Sequence, residues 1–273
     1  TYPYASGAEP VRGAIRIALG EPPGIKALRR WTSAERAFIT IPGLVRSVEG
    51  LDQARRVPGI RDLFLRAGPG KRLSFPENNV SKAGNVISAG PDRENAIGAA
   101  EKAARTVLIR LAAPDSETEA FLSGPPGPGS PDSAPLFPPP AYTAGPALLS
   151  ELSALPETRN AFNTPGLDSR RETPAVYAVP FPAFTESNLR DYQGRTPAET
   201  LDAIRALTGL ALPPAPDNRR NASYAAAPAT ESGTVVLGRE FWTALIRGGY
   251  QGAGYYIDRL LGAAAANAPG ETP

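Results

Sequence analysis

Apolar residues recur at steps of three and four between Glu9 and Leu19 (Val11, Ala14, Ile15, Ala18, Leu19), which predicts a short amphipathic helix closed by Gly20 in a left-handed cap. The paired prolines between Gly20 and Gly24 stop it. The period then changes. Arg36 to Ile41 is rich in β-formers and ends at Pro42-Gly43, and Leu44 to Val48 is a second extended run, so two strands around a Pro-Gly turn are expected. Leu51 to Arg56 predicts a short helix before Pro58-Gly59, and Ile60 to Ala67 alternates as a half-buried strand does. Pro69-Gly70 turns the chain. Arg72 to Phe75 and Asn85 to Ala89 are further strands, with a polar loop from Glu77 to Lys82 between them. Asp92 is placed to cap a helix carrying Ala96, Ile97, Ala100, Ala103 and Ala104, and Thr106 to Leu111 closes the set as a strand. Residues from Ala34 to Leu111 thus predict one compact α+β unit.

Ala112 to Pro140 is dense in proline with Gly, Ser and Ala between, and it offers too little apolar surface to offset the entropy of ordering. We read it as a semi-extended linker between a domain at 1–111 and another at 141–273. In the latter, Pro146 to Leu155 predicts a helix, and Ala175 to Val179 a strand ending in the bend Pro180-Phe-Pro182. Thr196-Pro-Ala-Glu199 is a capping box with Pro at the first helical position, starting a helix that runs to Leu207 with Gly209 past its end. Thr234 to Leu237 is a short strand. Glu240 to Leu261 is helical in pattern but interrupted by Gly248, Gly249, Gly252 and Gly254, which predicts two helices with a bend. The expected fold class is α+β: a small, mostly antiparallel sheet with packed helices, then a second, mainly helical α+β domain.

Composition narrows the chemistry by what is missing. The 273 residues include no His, no Cys and no Met. A Ser-His-Asp triad, a cysteine nucleophile and a Cys/His zinc site are therefore excluded, as is a disulfide scaffold. Because Met is absent even at position 1, we expect fragmentation upstream of Thr1, or processing. The 29 Lys and Arg and 27 Asp and Glu leave a net charge of +2, without a basic stripe, so nucleic acid is not an expected partner. No apolar run approaches the ~20 residues of a membrane-spanning helix, and we expect a cytoplasmic protein.

The order Ile41-Pro-Gly43, Val57-Pro-Gly-Ile60, Gly68-Pro-Gly70, the glycine-bounded strand Gly84 to Gly90 and the helix from Glu94 to Arg105 resembles the carboxyl-terminal part of ATP-grasp carboxylate-amine ligases. The likeness covers roughly the first 111 residues and lies in order and spacing. It implies ATP-dependent formation of an amide or peptide bond, with ATP and Mg²⁺ as cofactors, and a missing upstream domain or companion chain carrying the ATP site. The family's last metal motif runs Glu-x-Asn-x-Arg. Its nearest counterpart here, Tyr2-Pro-Tyr-Ala-Ser-Gly7, sets Tyr2 in place of Asn and Tyr4 in place of Arg. The catalytic apparatus is thus expected outside this chain. The helix around Val11 and the adjoining sheet are expected on the acceptor side of the site, with Ser6 and Gly7 as substrate-binding residues that meet a carboxylate through backbone amides.

Other features have plainer readings beside functional ones. Thr1 as a terminal nucleophile finds no supporting group elsewhere. Asn79-Val-Ser81 and Asn221-Ala-Ser223 fit the glycosylation sequon but read as surface loops. Pro125 to Pro128 and Pro138 to Pro140 read as spacer rather than as docking ligands. Gly68-Pro-Gly-Lys71 lacks the spacing of a phosphate loop and is a turn; Glu77, Asp92 and Glu94 read as loop and cap residues. Phe241, Trp242, Tyr250, Tyr255 and Tyr256 form either a core or a contact surface. The second function is built on that surface: a non-catalytic binding or scaffold protein docking through its aromatic C-terminal domain.

Overall fold

The run Gly84–Gly90 forms strand β5, the middle strand of a three-stranded antiparallel sheet in the computed structural model. The structure describes residues 1–123, 140–143, 145–155, 157, 175–176, 182–208 and 236–266, and the chain divides into two units. The first comprises residues 1–40 and 44–110. Its elements are α1 (Tyr2–Ser6), α2 (Pro10–Ala18), β1 (Thr32–Phe38), β2 (Gly43–Glu49), α3 (Leu51–Arg55), β3 (Ile60–Leu65), β4 (Arg72–Leu73), β5, α4 (Arg93–Thr106) and β6 (Leu108–Leu111).

The sheet order is β1-β5-β3, with Thr32 opposite Gly90 and Phe38 opposite Gly84 on one side, and Ile60 opposite Ser88 and Leu65 opposite Gly84 on the other. Helix α4 lies on one face. Its alanines at 96, 100, 103 and 104 are all buried, and the small side chains let the helix approach closely enough for the Ser88 hydroxyl to donate to the Ala96 carbonyl at 2.5 Å. Arg36 pairs with Glu101 across the same face. Asp92 caps α4, its Oδ1 accepting from the Asn95 amide at 2.8 Å. On the opposite face, α1 reaches the sheet through the Tyr4 hydroxyl, which donates to Asp62. A second small sheet has the order β4-β2-β6.

The α+β class holds, but local readings move. β1 begins at Thr32, ahead of the expected Arg36, because pairing with β5 draws in Thr32 to Glu35, three of which are polar. β1 and β2 do not form a hairpin around Pro42-Gly43. They belong to different sheets, and the intervening residues bond elsewhere: the Ile41 amide donates to Gln251 Oε1 at 3.1 Å and the Pro42 carbonyl accepts from Thr118 Oγ1 at 2.8 Å. β4 stops at Leu73 and does not reach Phe75. α4 runs through Thr106, leaving the closing strand to start at Leu108.

The second unit comprises residues 41–43 and, from Leu111 on, the rest of the chain. Its described elements are α5 (Ser116–Ser123), α6 (Pro146–Ala154), β7 (Ala175–Val176), α7 (Pro182–Thr185), α8 (Pro197–Thr208), β8 (Val236–Leu237) and α9 (Arg239–Ala266). Helix α5 corrects the expected linker over 112–123: Thr118 and Leu122 are buried, and the Asp115 carboxylate caps the helix by accepting from the Thr118 amide at 3.1 Å. The remainder of that linker at 124–139, the strand and bend at 177–181, Gly209, Thr234 and Val235, and the sequon at Asn221 lie outside the described residues. The capping box is present in both directions, the Glu199 amide donating to Thr196 Oγ1 at 3.1 Å and the Thr196 amide to Glu199 Oε2 at 2.7 Å. α9 packs against α5, α6 and α8 and is kinked at Gly249.

The turn into α3 tests the packing of the first unit. Gly50 has φ +79°, and a Cβ there would stand 2.1 Å from the Thr106 carbonyl oxygen; Gly70 has φ +78° with open space around it. Gly50→Ala is expected to cost about 2–4 kcal/mol, combining the conformational cost with a backbone clash, against roughly 1 kcal/mol for Gly70→Ala. Urea unfolding of the two variants measures the difference, and equal losses would contradict the close approach of Gly50 to α4.

Candidate functional site

The residues expected to meet substrate lie at the carboxyl end of α1. Pro at the second helical position starts this single turn, and Gly7, with φ +73°, ends it by donating its amide to the Pro3 carbonyl at 2.9 Å. The Ser6 hydroxyl donates to the Tyr2 carbonyl at 2.9 Å and accepts from the Ala8 amide at 3.1 Å. Ser6 and Ala5 carbonyls accept from the amides of Leu28 (2.7 Å) and Trp31 (2.9 Å). The Gly7 amide is thus engaged inside its own helix, and Ser6 anchors residues 28–31 to α1. A Cβ on Gly7 would stand 3.0 Å from Leu28 Cβ, so the close approach of this segment uses the glycine.

Tyr4 occupies the position where the resembling motif has Arg. Its hydroxyl is committed to Asp62, and the hydrogen bond to that carboxylate, followed by burial, pushes the phenol above its ordinary pKa. A magnesium ion requires hard oxygen ligands in near-octahedral array, and a phosphate clamp requires a cation. Phenols at 2 and 4 supply neither. Among the described residues no group of three or more acidic side chains is placed to hold a metal. Residues 2–7 therefore do not supply the magnesium ligand and the phosphate-binding cation that the resembling motif has.

The second unit holds a polar cluster that the sequence reading did not single out. Asp191, buried, accepts through Oδ1 from the amides of Gln193 (2.9 Å) and Arg195 (2.8 Å), and through Oδ2 from the Tyr250 amide at 3.4 Å. The Arg195 guanidinium lies 4.4 Å from the Tyr250 ring centroid and donates to Gln193 Oε1 at 2.7 Å. Arg247 donates from Nε to the Phe121 carbonyl at 2.7 Å, and burial lowers its pKa. The Tyr142 hydroxyl bonds Thr200 Oγ1 at 2.7 Å, and the Tyr192 hydroxyl donates to the Arg247 carbonyl at 3.0 Å. Gly249 has φ +59° and ψ −141°, a conformation open to glycine alone, and Asp191 sits against it, receiving the amide that the kink frees. The signal in the sequence was Asp191-Tyr-Gln-Gly-Arg195, a turn with an acid at its start, directly ahead of the capping box.

The five aromatic side chains between Phe241 and Tyr256 resolve to core. Phe241 and Trp242 meet edge to face at 5.4 Å, and none of the five is more than 7% exposed. The scaffold reading loses the contact surface it was built on. Among the described residues no helix is long and apolar enough to cross a membrane.

Residues 37–112 match the family model described as L-amino acid ligase C-terminal domain 2, so the resemblance to the carboxyl-terminal part of ATP-grasp ligases holds for the segment from the end of β1 through β6. No curated protein matches the chain. Solved structures similar to it include phosphoribosylglycinamide synthetase from Anaerococcus prevotii, at 14% identity over 41% of this chain and 29% of that one, with a TM-score of 0.36. L-amino acid ligase from Bacillus licheniformis is similar at 12% identity over 40% of this chain and 28% of that one, with a TM-score of 0.35. The chain spans under a third of the length of either.

Two outcomes follow for the buried polar cluster. Asp191→Ala strips three amides of their acceptor and is expected to cost about 3–5 kcal/mol in urea unfolding, with Asp191→Asn retaining part of it. Burial, the leading cause, pushes the Tyr255 phenol up to about 12, and Tyr142 and Tyr192 higher still. Folding favours their neutral forms, so this stabilisation is complete below the ordinary phenol value of 10.0 and is lost as pH rises above it. In an alkaline titration followed by phenolate absorbance, these three of the nine tyrosines are expected to ionise only together with loss of helical circular dichroism. Ionisation of all nine near pH 10 with the helices intact would contradict the burial.

Proposed function

We propose that this chain is the carboxyl-terminal portion of an ATP-dependent carboxylate-amine ligase, with ATP and magnesium bound by polypeptide other than the residues given. The match of residues 37–112 to a ligase C-terminal domain is the observation that carries the reading. The chemistry at 1–7 supports the second clause: phenols stand where the resembling motif has a metal ligand and a phosphate-binding cation, and the Tyr4 hydroxyl is held by Asp62. The reaction class is amide-bond formation between a carboxylic acid and an amine at the expense of ATP. Ser6 and Gly7 serve it by position, the Ser6 carbonyl fixing Leu28 and Arg29 against α1 and Gly7 leaving room for the Leu28 side chain. A cytoplasmic setting, where ATP is available, goes with this reading.

The deciding measurement is the intact mass of the protein isolated from its native source, together with whatever polypeptide copurifies. A longer precursor or a companion chain with an ATP clamp is expected, and that assembly should release ADP when offered pairs of amino acids. A native chain of 273 residues with no such companion, inert toward ATP, would overturn the proposal.

A further inference from the structure

We propose that the outward face of α2 is the docking surface for the ATP-bearing domain of the ligase, joined to this part in one continuous chain. The inference rests on the ligase reading and adds to it the surface by which this part is held. Val11, Ala14, Ile15 and Ala18 recur at three and four, which puts them on one side of α2. In a helix packed on its own domain, such a side turns toward the core. Here it turns to solvent. All four residues are exposed, Val11 at 74% and Ile15 at 57%, and the one buried residue of the helix is Gly13. Gly13 meets Ile25, whose Cδ1 would stand 2.6 Å from an added Cβ, so α2 is seated through a glycine and its apolar stripe is left uncovered. Of the eleven large apolar side chains exposed among the described residues, eight lie between Tyr2 and Trp31, which makes the exposure a property of this segment rather than of the surface at large.

Charge, area and chain order select the occupant. Anionic lipid draws amphipathic helices through an excess of Lys and Arg on the polar side. In α2 each arginine is matched by an acid, Arg12 with Glu9 at 3.5 Å and Arg16 with Glu21 at 3.1 Å, so the stretch from Glu9 to Glu21 carries no net charge. At ~1.5 Å per residue and ~10 Å across, the nine-residue helix offers a footprint of roughly 140 Å². Two free copies meeting on it fall far short of the ~800 Å² that each partner of a stable complex buries. A domain joined through the backbone escapes that requirement, because linkage holds it at a high effective concentration and a small interface suffices. Chain order agrees. The matched ligase domain is a C-terminal one and starts at residue 37, so α2 stands ahead of it, on the side from which the ligase's other domains enter.

The test compares side-chain oxidation by hydroxyl radicals in the 273-residue chain alone and in the ATP-hydrolysing ligase isolated from the native source, with Val80, 77% exposed between β4 and β5, as reference. Val11 and Ile15 should react roughly tenfold more slowly in the ligase, with Val80 unchanged, because the centre of an interface excludes water. In the chain alone, Ile15→Glu should leave the urea midpoint in place, since the side chain it replaces faces solvent. A ligase that turns over ATP while Val11 and Ile15 stay as reactive as in the chain alone overturns the docking surface and leaves the ligase reading standing. A native chain with no ATP-bearing polypeptide overturns both, and protection by a separate companion chain overturns the single-chain arrangement. For the 273-residue chain, sedimentation as a dimer that Ile15→Glu dissociates assigns the face to a second copy. Cosedimentation with phosphatidylglycerol vesicles, lost in the same variant, assigns it to lipid. Either result overturns the proposal.

Discussion

Strand β5 is the constraint on which the first unit rests. It is paired along both edges, so β1 and β3 have no direct hold on each other and take their register from it. Its inner face is kept small and largely apolar, with Val86 and Ser88 fully buried, and the one hydroxyl there must be satisfied because water is excluded. The Ala96 carbonyl of α4 supplies the acceptor. That bond is possible only because α4 presents alanine at 96, 100 and 103, bringing the helix backbone close to the sheet. Substituting bulk on either side would lift α4 and leave a buried hydroxyl without a partner. The same register fixes the bulge at Arg61 and the starting point of β1 beside Trp31, so the exposed corner inherits its geometry from the buried strand.

Much of this was legible where the signal was local. The Asp92 cap, the alanine stripe of α4 and the glycine-bounded strand could be read directly, because caps and periodicity are properties of neighbouring residues. The hairpin at Pro42-Gly43 was not, since turn chemistry says where a chain bends and not which strands pair afterwards. Ile41 and Pro42 find their partners in Gln251 and Thr118, more than 70 positions away in sequence, and nothing near them announces it. The bulge at Arg61 was hidden for the same reason: alternation through Ile60 to Ala67 looked regular, and only pairing with β5 reveals the extra residue.

In the second unit the glycines of α9 were read as interruptions, and the kink at Gly249 agrees, but their purpose lies in other elements. Gly248 and Gly252 give room to Leu122 of α5, whose Cδ2 would stand 2.7 and 2.9 Å from added Cβ atoms. Helix α5 itself was concealed in a segment read from its proline content, although Asp115 to Thr118 carries an acid placed three residues before the amide it caps. Proline density describes a composition over a window, and a helix of eight residues at its edge is lost in the average.

The two units dispose of some of their charges differently. Buried charges in the second unit are consumed by the fold: Asp191 closes on three amides, Arg247 on the Phe121 carbonyl, Asp115 on the start of α5. A group so fully satisfied has no free bond to offer a substrate, and removing its partners is costly. In the first unit, at the Trp31 corner, backbone bonds between α1 and residues 28–31 and the bulge of β3 order the segment, and the Arg29 and Arg61 guanidinium groups lie against the indole ring. The polar interior of the second unit therefore contributes to its stability and leaves those groups committed to the fold.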